Sequence, residues 1–196
     1  MVSYYDWKSF FPLSNPDEKH SFYECYYKFS VTHRSALGDF PIKLYLTSDA
    51  GIASGIELYG YPKYRAEMKF ELEENNGSCS IERNGRSELE IELIKARGIS
   101  ARITNFFANS MAESYLKRYT GNYLFKDYDG VKEMVRGTTH IKSIRYDLAK
   151  INKIYLREPL EWNILTEAEI SKPKYGFIHT DITADLDPPE LICSID

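Results

Sequence analysis

The sequence is poor in the residues from which most small catalytic centres are built. It has three cysteines, Cys25, Cys79 and Cys193, and four histidines in 196 residues. No C-x-x-C pair and no Cys/His cluster occurs, so a structural zinc site has no support. The histidines (His20, His33, His140 and His179) show no metal-ligand spacing. G-x-S-x-G, H-E-x-x-H, Walker A and G-x-G-x-x-G stretches are all missing, which removes the motif-bearing hydrolases, zincins, P-loop proteins and dinucleotide-binding enzymes. Basic residues are not in excess: 25 Lys and Arg stand against 29 Asp and Glu, a net charge of -4. Phosphate backbones are recognised by a basic field, so nucleic acid is not expected as a partner. No apolar run approaches the roughly 18 residues that cross a bilayer. The start, MVSYYDWKSFF, has no basic segment followed by an apolar one. A cytoplasmic protein with reduced thiols and no membrane partner is the expectation.

Aromatic side chains are what the chain has in quantity. There are 16 Tyr, 10 Phe and 2 Trp, 14% of the sequence, and Tyr and Phe favour pleated sheet. With 43% apolar and 28% charged residues the chain is globular, and its length suits one domain, 1–196. Residues 1–21 read as an N-terminal arm interrupted by Pro12 and Pro16, and 184–196, with two prolines, as a surface tail. From Phe22 to Thr32 Tyr23, Cys25, Tyr27, Phe29 and Val31 alternate on one face, with Glu24 on the other between Phe22 and Tyr26. A turn is expected at Ala36–Asp39, then a strand at Pro41–Leu46. Gly51, Gly55, Gly60 and Pro62 imply tight turns or close backbone approach over 49–62. Strands at Met68–Glu74, Ser78–Arg83 and Ser87–Lys95 are separated by the turn signals Asn75-Asn76-Gly77 and Asn84-Gly85. Residues 105–119 have the spacing of one amphipathic helix. Asn122–Lys126 and Ile141–Leu156 read as strands, with shorter ones over 158–165 and 174–182. The fold expected is α+β, mostly antiparallel sheet, closed into a barrel or cone with one or two helices.

One segment draws the eye: Gly55-Ile56-Glu57-Leu58-Tyr59-Gly60-Tyr61-Pro62-Lys63-Tyr64-Arg65-Ala66. Pro62 fixes the chain direction just before Lys63. The tyrosines around it offer a wall that would keep the amine dry. On local composition alone, a solvent-facing turn lysine is the favoured reading of Lys63, since most lysines are exposed.

This segment resembles the active-site signature of the acetoacetate decarboxylase family, in which a GRE-x-x-x-YPKK-type motif carries a Schiff-base lysine. The likeness runs without a gap over residues 22–63, through Gly38-Asp39-Phe40 and Tyr45-Leu46. It resumes at Asn122-Tyr123-Leu124-Phe125-Lys126 and Tyr128-Asp129-Gly130, which resemble the family's NY-x-x-K…YDG segment. About half the chain follows the pattern closely and most of the rest follows it in strand order. The resemblance implies an acetoacetate decarboxylase-like barrel or cone. It places Lys63 on the imine-forming lysine, Glu24 on the catalytic-site glutamate and Tyr61 on an aromatic beside the pocket. It further implies a small-molecule keto acid as partner, no cofactor, no metal and a homo-oligomer. Two departures stand out. Tyr64 occupies the place of the family's second lysine, and no counterpart of its N-terminal arginine is assigned before Phe22. Arg34 or Arg65 would then supply positive charge to a substrate carboxylate, with Tyr64 among the binding residues.

The chemistry sets a condition on Lys63. At neutral pH a free lysine, with pKa near 10.4, holds under ~0.1% of its amine unprotonated. Bringing that pKa to about 7 takes roughly 4 kcal/mol of preference for the neutral form. Burial or a neighbouring cation would provide it. With Tyr64 in place of the adjacent lysine, desolvation by Tyr59, Tyr61 and Tyr64 carries most of the effect, and an ionised Glu24 opposes it. A lyase that decarboxylates a β-keto acid through an imine on Lys63 is the leading reading. The same imine would also support aldol or dehydration chemistry. A non-catalytic domain holding a small ligand, with Lys63 as counter-ion, and a protein retaining only the fold are the others.

Overall fold

The computed structural model of the protein describes residues 2–7, 20–33, 36–128, 131–157 and 175–195. Alternating aromatic and polar residues give a long strand β2 (His20–His33), flanked by β1 (Val2–Trp7) and β3 (Ala36–Leu46) in antiparallel register. The chain then coils through a short helix α1 (Asp49–Ser54) and a π-helical turn (Gly55–Tyr59) into a short strand β4 (Lys63–Arg65). A meander follows: β5 (Glu67–Leu72), β6 (Asn76–Arg83) and β7 (Arg86–Lys95). Helix α2 (Ile99–Arg118) leads to β8 (Tyr119–Tyr128), β9 (Val131–Gly137) and the long β10 (Thr139–Leu156). Strands β11 (Tyr175–Leu186) and β12 (Glu190–Ser194) complete the described chain.

The strands form two sheets. One runs β1-β2-β3-β8-β9-β12, with β4 also paired to β3, and the other runs β11-β10-β7-β6-β5. All pairings are antiparallel except β3 with β4 and β3 with β8. Strand β3 changes partner along its length: Leu37 and Asp39 pair with β8, whereas Leu44, Tyr45 and Leu46 pair with β4. The first sheet is therefore split between β8 and β4. Its two faces carry two cores. Phe22, Tyr26, Leu44, Leu46, Tyr61, Leu124 and Val135 are buried on one, with Ile52 and Tyr59 packed against them. Cys25, Tyr45 and Ala66 are buried on the other, against Cys79, Ile81 and Leu89 of the second sheet.

The mainly antiparallel α+β architecture with two helices is as the sequence predicts, and among the described residues the strands pair into two sheets. The meander and its turns are also found, and Asn84 and Gly85 both take positive φ (53° and 69°), as a tight hairpin of this type requires.

Four local expectations are corrected. Ala36–Asp39 is not a turn but the start of β3, paired to β2 down to Ala36–His33. Gly38 is there because a β-carbon would stand 2.5 Å from the Tyr123 ring. Of the two readings of the glycines over 49–62, close approach is the one found, at Gly55, and in place of turns residues 49–59 are helical, with Ser48 capping α1 through a hydrogen bond from the Gly51 N–H (3.2 Å). Helix α2 begins at Ile99, earlier than expected, and Ile99, Ile103, Phe106, Phe107 and Met111 on it are exposed rather than buried. The surface tail contains a real strand, β12, hydrogen-bonded to β9. Residues 158–165, expected as a short strand, lie outside the described residues. Neither helix is long and apolar enough among the described residues to cross a membrane.

Candidate active site

The split in the first sheet is where the signature segment sits. The π-helical turn ends at Gly60, whose φ of 76° is open to glycine at little cost. Its chain folds back so that the Tyr61 N–H donates to the Gly55 carbonyl (3.0 Å). The Leu44 N–H donates to the Pro62 carbonyl (2.9 Å), which stitches the segment to β3 and starts β4 at Lys63. Pro62 thus sets Lys63 at the first position of a strand, with its side chain turned back under α1.

There the amine meets three groups. Its Nζ donates to the Gly51 carbonyl at 3.0 Å, lies 3.6 Å from Oε2 of Glu24, and stands 5.2 Å from the centroid of the Tyr61 ring. Glu24 reaches it from β2, between Phe22 and Tyr26 on the face of the first core. The two side chains are only 9% and 13% exposed. Gly55 leaves the room for them: a β-carbon there would stand 2.6 Å from Nζ of Lys63.

Burial dominates the electrostatics of the pair. It lowers the Lys63 pKa from its ordinary value near 10.5, while the facing Glu24 pulls it back up. It raises the Glu24 pKa above the ordinary 4.5, while Lys63 opposes that rise. Both shifts run against charge on the buried pair, and the attraction between the partners opposes both. The buried thiols are inert by comparison, since burial pushes Cys25 up to about 11 and Cys79 to about 12. Among the described residues no group of three or more His, Cys, Asp or Glu side chains converges as a metal site would require.

The structure brings together Lys63, Glu24 and Tyr61, and separates them from Tyr64 and Arg65. Tyr64 points to the opposite face, where its ring packs against the second core beside Tyr45. There it lies under Lys43 (5.4 Å) and Arg83 (4.7 Å). Arg65 is held at the surface by the Thr47 carbonyl and by Asp49 (3.0 Å). Arg34 lies outside the described residues. Sequence reasoning missed the Gly51 carbonyl, while the close approach it allowed for in the Gly51, Gly55 and Gly60 run is found at Gly55. It also missed Asn122, whose amide donates to the Tyr61 hydroxyl at 2.7 Å.

Residues 2–161 match the model of the family described as acetoacetate decarboxylase (ADC). The chain belongs to that family. Solved structures share the fold. A crystal structure of acetoacetate decarboxylase from Legionella pneumophila subsp. pneumophila str. Philadelphia 1 superposes with a TM-score of 0.61 at 17% identity, over 88% of this chain and 67% of that one. An acetoacetate decarboxylase-like enzyme from Sphingomonas wittichii RW1 superposes at 0.57 and 14% identity, over 89% and 70%. The enduracididine biosynthesis enzyme MppR, complexed with pyruvate, gives 0.58 at 9% identity, over 89% and 66%. No curated protein sequence matches the chain.

Proposed function

We propose that this member of the acetoacetate decarboxylase family is an imine-forming lyase that decarboxylates a β-keto acid on Lys63. The observation that carries the reading is the amine itself: nearly closed off from solvent, lowered in pKa by burial, and 3.6 Å from a carboxyl whose pKa is raised. A neutral Nζ attacks the ketone carbon, and the resulting carbinolamine loses water to give a protonated imine. The bond to the carboxylate carbon then breaks, its electron pair passing into the imine, so that carbon dioxide leaves and an enamine remains. Protonation of the enamine carbon and hydrolysis return the ketone and the free amine. Glu24 is the one carboxyl beside the amine among the described residues. Its raised pKa suits it to give a proton to the leaving hydroxyl and to recover one from the attacking water. Tyr61 walls the pocket, and the Gly51 carbonyl aims the amine.

The test is borohydride reduction in the presence of acetoacetate or another β-keto acid, followed by peptide mapping. The reading requires a covalent adduct on the Lys63 peptide, carbon dioxide release, and loss of both in Lys63→Ala. Carbon dioxide release that survives Lys63→Ala would remove Lys63 from the reaction.

A second outcome of the same imine has a specific observation behind it. MppR, which shares the fold, has been seen with pyruvate and with a condensation product of pyruvate and imidazole 4-carboxaldehyde. An adduct with pyruvate at Lys63, without carbon dioxide release from any β-keto acid, would favour condensation or dehydration over decarboxylation.

A further inference from the structure

Helix α2 carries its large apolar side chains on the face turned away from the protein. The helix packs on β10, and the side it presents there is small or polar. Ala101 is buried, and Oδ1 of Asn105 accepts from the Leu148 N–H of β10 at 2.8 Å. Ile99, Ile103, Phe106, Phe107 and Met111 lie on the other side, each more than half exposed, from 51% at Ile103 to 77% at Ile99. At about 3.6 residues per turn these five fall on one stripe. The Phe106 and Phe107 rings meet edge to face, with centroids 5.7 Å apart. Arg102, the one charged residue between Ile99 and Met111, stands at the edge of the stripe. A helix on a lone globular protein turns such a stripe inward.

The size of the stripe and its symmetry point to what covers it. Together the five residues leave about 700 Å² open, more than the roughly 300–600 Å² of the largest patch on a typical monomer and near the roughly 800 Å² that each partner gives to a standard interface. The stripe is also its own complement. Ile99 and Met111 are equally far from Asn105 along the chain, and so are Ile103 and Phe107. Laid end for end on a copy of itself about a two-fold axis, it sets Ile99 against Met111, Ile103 against Phe107, and the two Phe106 rings beside the axis. Each match then occurs twice, as a self-paired interface requires. A lipid surface suits the helix less well. A helix lying on a bilayer keeps a strongly charged face in water, whereas the opposite face of α2 is docked on β10.

We propose that the outer face of α2 is an interface with a second copy of this chain, the two helices packed antiparallel over Phe106 and Phe107. The proposal is independent of the reading of Lys63.

Sedimentation equilibrium of the full chain over a concentration series tests it. A dimer is expected. Phe106→Glu should weaken that dimer about 100-fold, with the far-ultraviolet circular dichroism unchanged. Leu72→Glu, at an exposed apolar position on β5, should leave the dimer as it is. A dimer that Phe106→Glu leaves intact, or that Leu72→Glu weakens as much, overturns the inference. So does a wild-type chain that stays a single protomer at every concentration. Cosedimentation of such a protomer with phosphatidylcholine–phosphatidylglycerol vesicles, lost in Phe106→Glu, would give the face to a membrane instead. The direction of packing is read by oxidation in a Cys193→Ser background. Chains carrying Ile99→Cys should link to chains carrying Met111→Cys and not to one another, and the reverse result overturns the antiparallel arrangement. If Phe106→Glu does not fold, Phe106→Ala must weaken the dimer about 10-fold by itself, and an unweakened dimer there counts equally against the proposal.

Discussion

A β-carbon on Gly55 would stand 2.6 Å from Nζ of Lys63 and closer still to its Cε. Gly55 has an ordinary helical φ of -68°, so the glycine serves space and not backbone conformation. What an alanine would strike is the far end of a flexible side chain, which can move at little cost to the fold. Gly55→Ala should therefore leave thermal stability within about 1 kcal/mol of wild type. Its amine, pushed off the Gly51 carbonyl and away from Glu24, should trap keto acids on the order of 100-fold more slowly. Melting curves beside borohydride trapping check both halves. A large loss of stability, or unchanged trapping, would show that the Lys63 side chain is not seated against Gly55.

The Lys63–Glu24 pair makes a pH prediction of definite sign. Glu24 holds its proton more tightly folded than unfolded. Its contribution to stability is therefore full below about 4.5 and is lost as pH rises through the raised folded value. Lys63 holds its proton less tightly folded. Its contribution is full above about 10.5 and is lost as pH falls through the lowered folded value. Between those windows the fold carries a buried pair that costs stability in one protonation state or the other. The double variant Glu24→Gln/Lys63→Met should thus be inactive yet more stable at neutral pH, by about 1–4 kcal/mol. Its advantage should shrink toward both extremes of pH. Denaturant melts across pH measure this, and a double variant less stable than wild type at pH 7 would mean that the ion pair holds the site together.

Gly121 should be the least replaceable residue near the site. It sits at φ 114°, and a β-carbon would stand 2.8 Å from the Thr139 nitrogen and inside contact distance of the Gly137 carbonyl. Both obstacles are backbone, so neither can yield cheaply. Gly121→Ala should cost roughly 3 kcal/mol or more, with the loss of the bulge at Gly121 that β8 makes between the Leu37–Tyr119 and Asp39–Asn122 pairs. Thermal melting of the variant, read against Gly85→Ala in the exposed hairpin turn, gives the comparison. Gly85 also has positive φ but meets nothing within 4 Å, so its loss should be the smaller.

Much of this arrangement was legible in the chain because its cues are local. Asn84-Gly85 fixes a hairpin through backbone conformation alone, and the alternation around Glu24 put that carboxyl between Phe22 and Tyr26 on the face where it is found. The lysine was legible by family resemblance; its local composition favours a surface turn. The misreadings share one cause: glycine marks close approach as readily as it marks a turn. Gly38 makes room for Tyr123 and Gly55 for Lys63, yet the first read as a turn and the second as either a turn or a close approach. The hydrogen bonds of Tyr119 to Asp39 and of Asn122 to Tyr61 were out of reach for a different reason. Asp39, Tyr61 and Asn122 are far apart in sequence, and the bulge at Gly121 inverts the facing that period-two alternation assigns to Tyr119 relative to Asn122.

The position after the lysine offers the sharpest contrast between family pattern and this structure. Tyr64→Lys would restore the paired lysines of the family signature, and sequence logic says that the new cation should lower the Lys63 pKa. The structure says otherwise. Tyr64 faces away from the site, its ring between Lys43 (5.4 Å) and Arg83 (4.7 Å), at the side of the second core. A lysine there would lose two cation–π contacts, worth about 0.5–1 kcal/mol each, and would set a third positive charge against two others. The variant should be destabilised by roughly 2 kcal/mol, more at low salt than at high. The pH midpoint for reductive methylation of Lys63, followed on its peptide by mass spectrometry, should not fall, because the new ammonium and the Lys63 amine would lie on opposite faces of the strand. A midpoint lowered by about one pH unit, with stability kept, would instead show that residue 64 turns into the pocket and that the family's electrostatic device can be rebuilt here.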